Sequence, residues 1–169
     1  MTDRFAEYFA VLAKIDGKFK EIEERHGARM VCRAGCHGCC LPGLSVSRLE
    51  RDHIAAWLAE HPGALADLAS NDDGCAFLDS SGRCTIYDAR PAICRSHGAP
   101  IRVRPEGATQ PLLDVCPLNF ADVPLTSLDA GEWIDVDTLN LLLFVVGRRY
   151  APEDGGERFA LTPQGITGS

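Results

Sequence analysis

Long apolar runs, an excess of positive charge and the common catalytic motifs are all missing from this sequence of 169 residues. Its longest apolar stretch, Leu141 to Gly147, is far too short to span a bilayer. The N-terminus carries acidic residues and no continuous apolar core, which is not the pattern of a secretory signal. We therefore expect a cytoplasmic protein with no membrane partner. In that compartment, clustered cysteines serve as metal ligands or catalytic groups more often than they form disulfides.

Positive charge is scarce as well. Seventeen Lys and Arg residues face 24 Asp and Glu residues, which gives a net charge of −7 at neutral pH. That charge repels phosphate backbones, and no basic stripe offsets it, so nucleic acid is not an expected partner. The sequence contains no G-x-S-x-G, P-loop, G-x-G-x-x-G or H-E-x-x-H pattern. No residue therefore identifies a reaction, a substrate or a catalytic group.

Cysteine is the residue that the sequence has in excess. Seven of the eight cysteines lie within the 63 residues from Cys32 to Cys94, about 11% of that segment, which is above the level of an ordinary globular domain. Short-spaced cysteines on glycine-containing backbone can turn several sulfurs toward one centre, as zinc sites and iron–sulfur clusters require. The predicted metal ligands are Cys32, Cys36, Cys39, Cys40, Cys75, Cys84, Cys94 and Cys116.

Apolar periodicity and capping signals predict a mainly helical chain. Apolar residues spaced three and four apart indicate a helix over about 3–26, and the same spacing would also suit docking on a protein partner. Ser47 and Glu50 form the sequence pattern of a capping box, which opens a second long helix. Asp137 caps an apolar helix over about 137–150.

The remaining segments predict loops around one small β-hairpin at 75–87. The fold class is therefore mainly α with a small β-hairpin, in one metal-stabilised domain over residues 1–152. The cysteine core of this domain, residues 32–116, lies on irregular loops. Residues 153–169 are expected to form a mobile tail.

The adjacent pair Cys39 and Cys40 suggests how the sulfurs are divided. Neighbouring side chains on extended backbone point to opposite sides, so the pair is expected to serve two different metal sites. Eight sulfurs divide into two sets of four, but the spacing does not say which four belong together. A site with fewer cysteines and a carboxylate, histidine or water ligand stays open.

The identity of the metal is open between zinc and iron. The spacing Cys32-x3-Cys36-x2-Cys39 is that of radical S-adenosylmethionine enzymes, whose three thiolates hold an iron–sulfur cluster. Those enzymes need a strand–helix barrel that the rest of this chain cannot supply. Cys116-Pro117 is similar to the end of bacterial ferredoxin motifs. Cysteines on small hairpins, by contrast, are typical of zinc ribbons.

Several motifs together resemble one known family. They are Cys32-Arg-Ala-Gly-Cys-His-Gly-Cys-Cys40, Cys75-Ala-Phe-Leu, Gly82-Arg-Cys84-Thr-Ile-Tyr87 and Arg90-Pro-Ala-Ile-Cys-Arg95. This ordered series resembles the CxxCxxCC zinc- or iron-chelating domain family, the YkgJ-like cysteine-cluster proteins, to which flagellin lysine N-methylase is related. The first gap here is three residues and not two. The resemblance implies metal chelation through the cysteines without implying a particular reaction.

Three other residues, Arg90, Arg95 and His97, are expected to act on the metal centre. Arg90 and Arg95 can offset the negative charge of clustered thiolates, and His97 follows Cys94 closely enough to carry protons or replace a ligand. Three functions are then open. The chain is a metal-binding protein with zinc or iron on clustered thiolates, an iron- or iron–sulfur-dependent redox or group-transfer enzyme or subunit, or an interaction module shaped by structural zinc.

Overall fold

A computed structural model of the chain describes residues 3–69 and 73–168. About 48% is helical, and two small sheets are present, which confirms the prediction of a mainly α fold with a small β component. The chain divides into two compact units. Unit 1 comprises Met1–Cys32 and Arg95–Val146, and unit 2 comprises Arg33–Cys94 and Gly147–Ser169. Over the described ranges, no helix is long and apolar enough to cross a membrane.

The regular elements are short except for three helices. In chain order, the α-helices of the described residues are α1 (Ala6–His26), α2 (Arg48–Glu60), α3 (Ala92–Ser96), α4 (Val136–Tyr150) and α5 (Pro163–Thr167). The strands are β1 (Ser45–Ser47), β2 (Ile101–Val103), β3 (Leu112–Asp114), β4 (Ile134–Asp135) and β5 (Arg158–Ala160). The bounds of α1, α2 and α4 confirm the three long helices, but the predicted cap of α4 is wrong. Asp137 lies within the first turn of α4, and Asp135 Oδ1 accepts the hydrogen bond from the Thr138 N–H at 2.8 Å.

Helix α1 supplies much of the core of unit 1. Its inward face consists of side chains spaced three or four residues apart, the pattern of an amphipathic helix. The buried members are Tyr8, Val11, Leu12, Ile15 and Ile22. This is the face that we expected to be able to dock on a partner, and the fold uses most of it internally. Phe9, which is 37% exposed, lies on the outer side.

The end of α1 is held by a buried carboxylate, Glu132. Its Oε1 lies 2.8 Å from His26 Nε2 and accepts a hydrogen bond from Arg25 Nη1 at 3.1 Å. Its Oε2 accepts a hydrogen bond from the backbone N–H of Asp129 at 2.8 Å. The Asp129 N–H first, and His26 next, lower the pKa of Glu132 from 4.5 to about 2. The ionised form of Glu132 is therefore part of the fold of unit 1.

Unit 1 also contains the three-stranded sheet β3-β2-β4. Strand β2 pairs with β3 in antiparallel register, so that Arg102 lies opposite Leu113, and it pairs with β4 in parallel register. The sequence pattern predicted only irregular backbone over residues 99–134. These strands were missed because two or three residues are too few to show an alternating pattern.

Unit 2 is built on α2 and the two-stranded sheet β1-β5. The predicted capping box is confirmed, because Ser47 Oγ accepts from the Glu50 N–H and Glu50 Oε2 accepts from the Ser47 N–H. The core of the unit is one hydrophobic cluster. It comprises Val46, Ile54, Leu58, Phe77, Ile86, Ala89, Leu161 and Ile166.

The segment expected to be a mobile tail contributes to this core. Strand β5 pairs antiparallel with β1, placing Phe159 opposite Val46. Thr162 then caps α5 by accepting a hydrogen bond from Gly165, and Ile166 is fully buried. The expectation of a mobile tail over residues 153–169 is therefore wrong. It gave too little weight to the apolar residues within this segment.

The predicted hairpin at 75–87 is present in a shortened form. Leu78 and Cys84 form an isolated antiparallel bridge, and the Thr85 N–H donates to the Phe77 carbonyl at 2.9 Å. The Asp79 N–H also donates to the Arg83 carbonyl at 2.9 Å, and the turn itself is closed by the side chain of Asp79. Its Oδ1 accepts from the N–H groups of Ser81 and Arg83 at 2.8 and 2.9 Å.

Candidate metal centre

All eight cysteines carry thiols rather than disulfides, and each is half-buried. Two of them, Cys32 and Cys116, belong to unit 1. The other six belong to unit 2, and they are Cys36, Cys39, Cys40, Cys75, Cys84 and Cys94. Half-buried thiols are accessible to an incoming ion and are still partly shielded from water.

Four of the six lie together, and we call Cys40, Cys75, Cys84 and Cys94 the unit 2 thiol cluster. The Cys75 N–H donates to the Cys40 carbonyl at 2.8 Å, which joins two segments distant in sequence. The shortened hairpin places Cys84, and helix α3 carries Cys94. Three of these thiols, all but that of Cys40, pack against the hydrophobic core of unit 2. Charges on Cys75 and Cys84 would act on each other, and both would act on Cys40 and on Cys94.

Burial and mutual proximity both oppose thiolate formation in this cluster. Burial raises the pKa of Cys75 and of Cys84. Burial, followed by the charges of Cys75 and Cys84, raises the pKa of Cys94 to about 12. The pKa of Cys40 is raised chiefly by a hydrogen bond with the side chain of Cys39. A bound cation would reverse these effects, because it stabilises the thiolate form of its ligands.

Glu50 fixes the helix that carries Cys94. The residue is only 4% exposed. Its Oε2 belongs to the capping box of α2, and its Oε1 accepts from the Ala92 N–H at the start of α3 at 3.2 Å. One carboxylate therefore caps two helices. Sequence reasoning found the capping box but missed the contact with Ala92, because the two residues are 42 positions apart and no local pattern links them.

Cys39 and Cys40 do not point to opposite sides, contrary to the premise of the two-site argument. Their side chains are within hydrogen-bonding reach of each other. The premise assumed extended backbone, whereas Gly38 and Cys39 form a turn, and the Cys40 N–H donates to the His37 carbonyl at 2.9 Å. A tight turn brings neighbouring side chains together. The number of metal sites therefore has to be argued from other observations.

In unit 1, Cys32 is held by a residue that sequence reasoning missed, Asn119. This asparagine is 1% exposed. Its Nδ2 donates to Cys32 Sγ at 3.2 Å and to the Gly98 carbonyl at 2.7 Å, while its Oδ1 accepts from the Val31 N–H at 2.8 Å. The Asn119 N–H also donates to the Cys116 carbonyl at 2.8 Å. Asn119 thus contacts both cysteines of unit 1, Cys32 through its side chain and Cys116 through its backbone. In the sequence, only its position three residues after Cys116 could have drawn attention to it.

His37, inside the first cysteine motif, has a local structural contact. Its Nδ1 lies 2.9 Å from the Gly35 carbonyl oxygen. The ring also packs on Gly82, where a Cβ would lie 2.5 Å from Nδ1. Gly82 has a φ of +76°, so glycine is favoured there by backbone conformation as well as by space. This contact holds the first cysteine loop against the hairpin turn of unit 2.

Of the three residues predicted to act on the metal centre, Arg90 lies closest to the thiol cluster. Its positive charge favours the thiolate forms of Cys84 and Cys94. The guanidinium stacks over the Tyr87 ring with Cζ 3.5 Å from the centroid, and Nε donates to the Tyr87 carbonyl at 3.0 Å. Arg90 is therefore held in place beside the cluster.

Arg95 and His97 both fall in unit 1. The Nη1 of Arg95 donates to Asp16 Oδ2 at 2.7 Å, so a carboxylate of α1 takes up its charge. His97 is half-buried one residue before Gly98. Their predicted role at a metal centre stays a prediction.

The donor set of the thiol cluster fits a thiophilic metal, although its geometry is not preformed. Nowhere in the described ranges do three or more His, Cys, Asp or Glu side chains already form a metal-ion site. Sulfur donors suit zinc and iron–sulfur centres, and the four thiols with Arg90 supply both ligands and a balancing charge. Thiols lose their protons as they bind, so ligand geometry and metal binding develop together.

Comparison with protein families places the cysteines in a known context. The family model CxxCxxCC, described as a "putative zinc- or iron-chelating domain", matches residues 31–116. The match covers just over half of the 169 residues and includes all eight cysteines. No curated protein matches the chain, and no solved structure matches it either.

Proposed function

The chain belongs to the CxxCxxCC family of zinc- or iron-chelating domains, and from that premise we propose that it binds zinc or iron through the unit 2 thiol cluster. Cys40, Cys75, Cys84 and Cys94 would be the four ligands. The other four cysteines remain predicted ligands of further metal. Bound through four thiolates, the metal would supply cross-links between chain segments that share little regular structure.

The observation that carries this proposal is the convergence of four separate segments. The turn before Cys40, the segment at Cys75, the bridge at Cys84 and helix α3 at Cys94 come together, and the last three of these cysteines pack against one hydrophobic core. Alanine or valine side chains could provide nearly the same packing as these four half-buried thiols. The common value of the thiols is as a set of soft donors.

The charges around the cluster also support metal binding. Four thiolates around a divalent ion would leave a net charge of −2, which is costly to bury without nearby positive charge. Arg90 is the group that meets this need, since its guanidinium is held against Tyr87 and already acts on two of the four sulfurs. Arg90→Gln should therefore weaken metal binding about 10-fold to 100-fold, the usual cost of losing such a partner.

The test begins with protein purified without oxygen. Zinc, iron and acid-labile sulfide are measured per chain and then compared among single Cys→Ser variants of the four cluster cysteines. We expect each of these variants to lose the same metal. Cys116→Ser is the matched control, because it makes the same chemical change outside the cluster and should leave the cluster's metal bound.

Stability gives a second measurement, which does not depend on how much metal stays bound during purification. Metal-free protein is titrated with zinc or, without oxygen, with ferrous iron, and its unfolding is followed by circular dichroism. A metal at 100 times its dissociation constant should stabilise the fold by about 2.7 kcal/mol. The proposal fails if neither metal binds, or if the four cluster variants lose different metals. Sulfide in equal amounts with iron would identify an iron–sulfur cluster on the same ligands.

A further inference from the structure

The hydrogen bonds of Asn119 determine which end of its side-chain amide is the oxygen and which is the NH₂ group. A backbone N–H donates to one end of the amide at 2.8 Å, so that end is the oxygen. The Gly98 carbonyl lies 2.7 Å from the other end, so that end is the NH₂ group. The NH₂ group is also the end that faces Cys32 Sγ, at 3.2 Å. The amide can therefore only donate a hydrogen bond to this sulfur.

The backbone of Gly98 lies beside this donor and also close to the sulfur of Cys32. A Cβ on Gly98 would lie 2.9 Å from Cys32 Sγ, which shows how closely the backbone approaches the sulfur. Gly98 has a φ of +96°, a conformation in which glycine is favoured. The backbone of Gly98 and the amide of Asn119 thus lie next to each other against the sulfur, and the other partners of the amide are backbone groups.

From this arrangement we propose that Asn119 is a positioning residue for Cys32, holding its sulfur as a metal-bound thiolate by an N–H···S hydrogen bond. The inference rests on the proposed metal binding by the cysteines and on the prediction that Cys32, outside the unit 2 thiol cluster, is a ligand of further metal. A thiolate is a stronger hydrogen-bond acceptor than a thiol, because it carries a full negative charge. A donor of fixed orientation therefore favours the form of Cys32 that binds a metal.

The same hydrogen bond should adjust the properties of the bound metal. Donors to a ligating sulfur withdraw electron density from it and change the potential or reactivity of the centre. Asn119 also ties Cys116 to this position through its backbone N–H. Replacing Asn119 by aspartate would keep the size of the side chain and would turn a carboxylate oxygen toward the sulfur in place of the donor.

The direct test uses ¹¹³Cd²⁺ as the probe ion in the ¹⁵N-labelled full chain. We expect a scalar coupling between bound ¹¹³Cd and the side-chain NH₂ protons of one asparagine, transmitted across the N–H···S hydrogen bond. The coupling should be lost in Asn119→Ser. Because the wild-type protein itself gives this signal, the test does not depend on a variant that folds.

Affinity gives the second measurement, with Co²⁺ as the probe ion. Asn119→Asp should weaken Co²⁺ binding about 10-fold to 100-fold and shift the thiolate-to-cobalt charge-transfer band to lower energy. Asn140→Asp is the matched control, since it makes the same change of charge at an exposed position on α4 and should change neither property.

The outcomes separate the two proposals. If the wild-type chain binds none of zinc, iron, cobalt or cadmium, the proposed function is wrong and this inference falls with it. If cadmium and cobalt bind but the coupling is absent and Asn119→Asp behaves like Asn140→Asp, metal binding stands and the role of Asn119 is refuted. A coupling that disappears in Asn119→Ser supports metal binding at Cys32 and the role of Asn119, while the Cys→Ser variants of the unit 2 thiol cluster test the proposed function separately.

Discussion

Replacing Gly98 by alanine should destabilise unit 1 more than the same replacement at any open glycine. Gly98 has a φ of +96°, and adopting a left-handed conformation costs a residue with a Cβ about 1–2 kcal/mol. The added Cβ would also lie 2.9 Å from Cys32 Sγ and 3.5 Å from Asn119 Nδ2. Such overpacking costs about 1–3 kcal/mol. Together the two effects predict a loss of about 2–5 kcal/mol.

Gly43 provides the control that separates these two effects. Its φ is +75°, and a Cβ there would meet no atom within 4 Å. Gly43→Ala should therefore show the backbone cost alone, about 1–2 kcal/mol. The free energies of unfolding are measured by urea denaturation and circular dichroism. The protein is kept metal-free with a chelator and reduced, so that differences in metal binding do not enter.

A double-mutant cycle identifies the contact responsible. Cys32→Ala removes the sulfur that the new Cβ would meet, so Gly98→Ala should cost about 1–3 kcal/mol less in that background. Two results would refute the reasoning. The first is that Gly98→Ala destabilises the protein no more than Gly43→Ala does. The second is that Gly98→Ala lowers the free energy of unfolding by the same amount when the Cys32 sulfur is absent.

Three further predictions use other parts of the structure. On α4, Leu139 is 8% exposed, so Leu139→Ala should lower the free energy of unfolding by about 2–5 kcal/mol. Leu141 is 62% exposed, and Leu141→Ala should change it by less than about 0.5 kcal/mol. Equal losses for the two variants in urea denaturation would contradict this prediction. Glu50→Ala removes the carboxylate that caps two helices and should lower the free energy of unfolding by about 2–4 kcal/mol. Glu60 is an exposed residue of α2, and the thermal unfolding of its control variant Glu60→Ala should stay near that of the wild type. Because the pKa of Glu132 is lowered from 4.5 to about 2, its ionised form stabilises the fold fully above pH 4.5, and this contribution is lost as the pH falls toward 2. The stability difference between wild type and Glu132→Gln should shrink over that interval, and a difference independent of pH would show that the charge is not responsible.

The long helices could be predicted from the sequence because their signals are local. Helix α1 repeats its apolar residues over 21 positions, and the capping box of α2 lies within four residues. The strands gave no such signal, since each is two or three residues long and its partner is distant in the chain. Strand β5, for example, pairs with a segment more than 100 positions earlier. Pairing of that kind depends on the tertiary fold and leaves no periodicity in the sequence.

The candidate site could be predicted in its chemistry but not in its arrangement. Cysteine density and spacing are properties of the sequence, and they indicated thiol ligands. The grouping of Cys40 with Cys75, Cys84 and Cys94 depends on backbone contacts between separate segments, such as the hydrogen bond from Cys75 to Cys40. Glu50 was expected only to cap α2, and its contact with the start of α3 became apparent only in three dimensions.

The adjacent pair Cys39 and Cys40 shows why local geometry must be known before sulfurs are assigned to sites. On extended backbone the two side chains would diverge, but the turn at Gly38 and Cys39 brings them together. Cys40 therefore interacts both with Cys39 and with the cluster cysteines Cys75 and Cys84. If Cys39 were only a neighbour, Cys39→Ser should leave the metal of the thiol cluster bound. If it exchanges with Cys40 as a ligand, Cys39→Ser should weaken that metal, and the two single variants should not have additive effects. A comparison of Cys39→Ser, Cys40→Ser and the double variant by metal titration therefore decides whether this pair serves one centre.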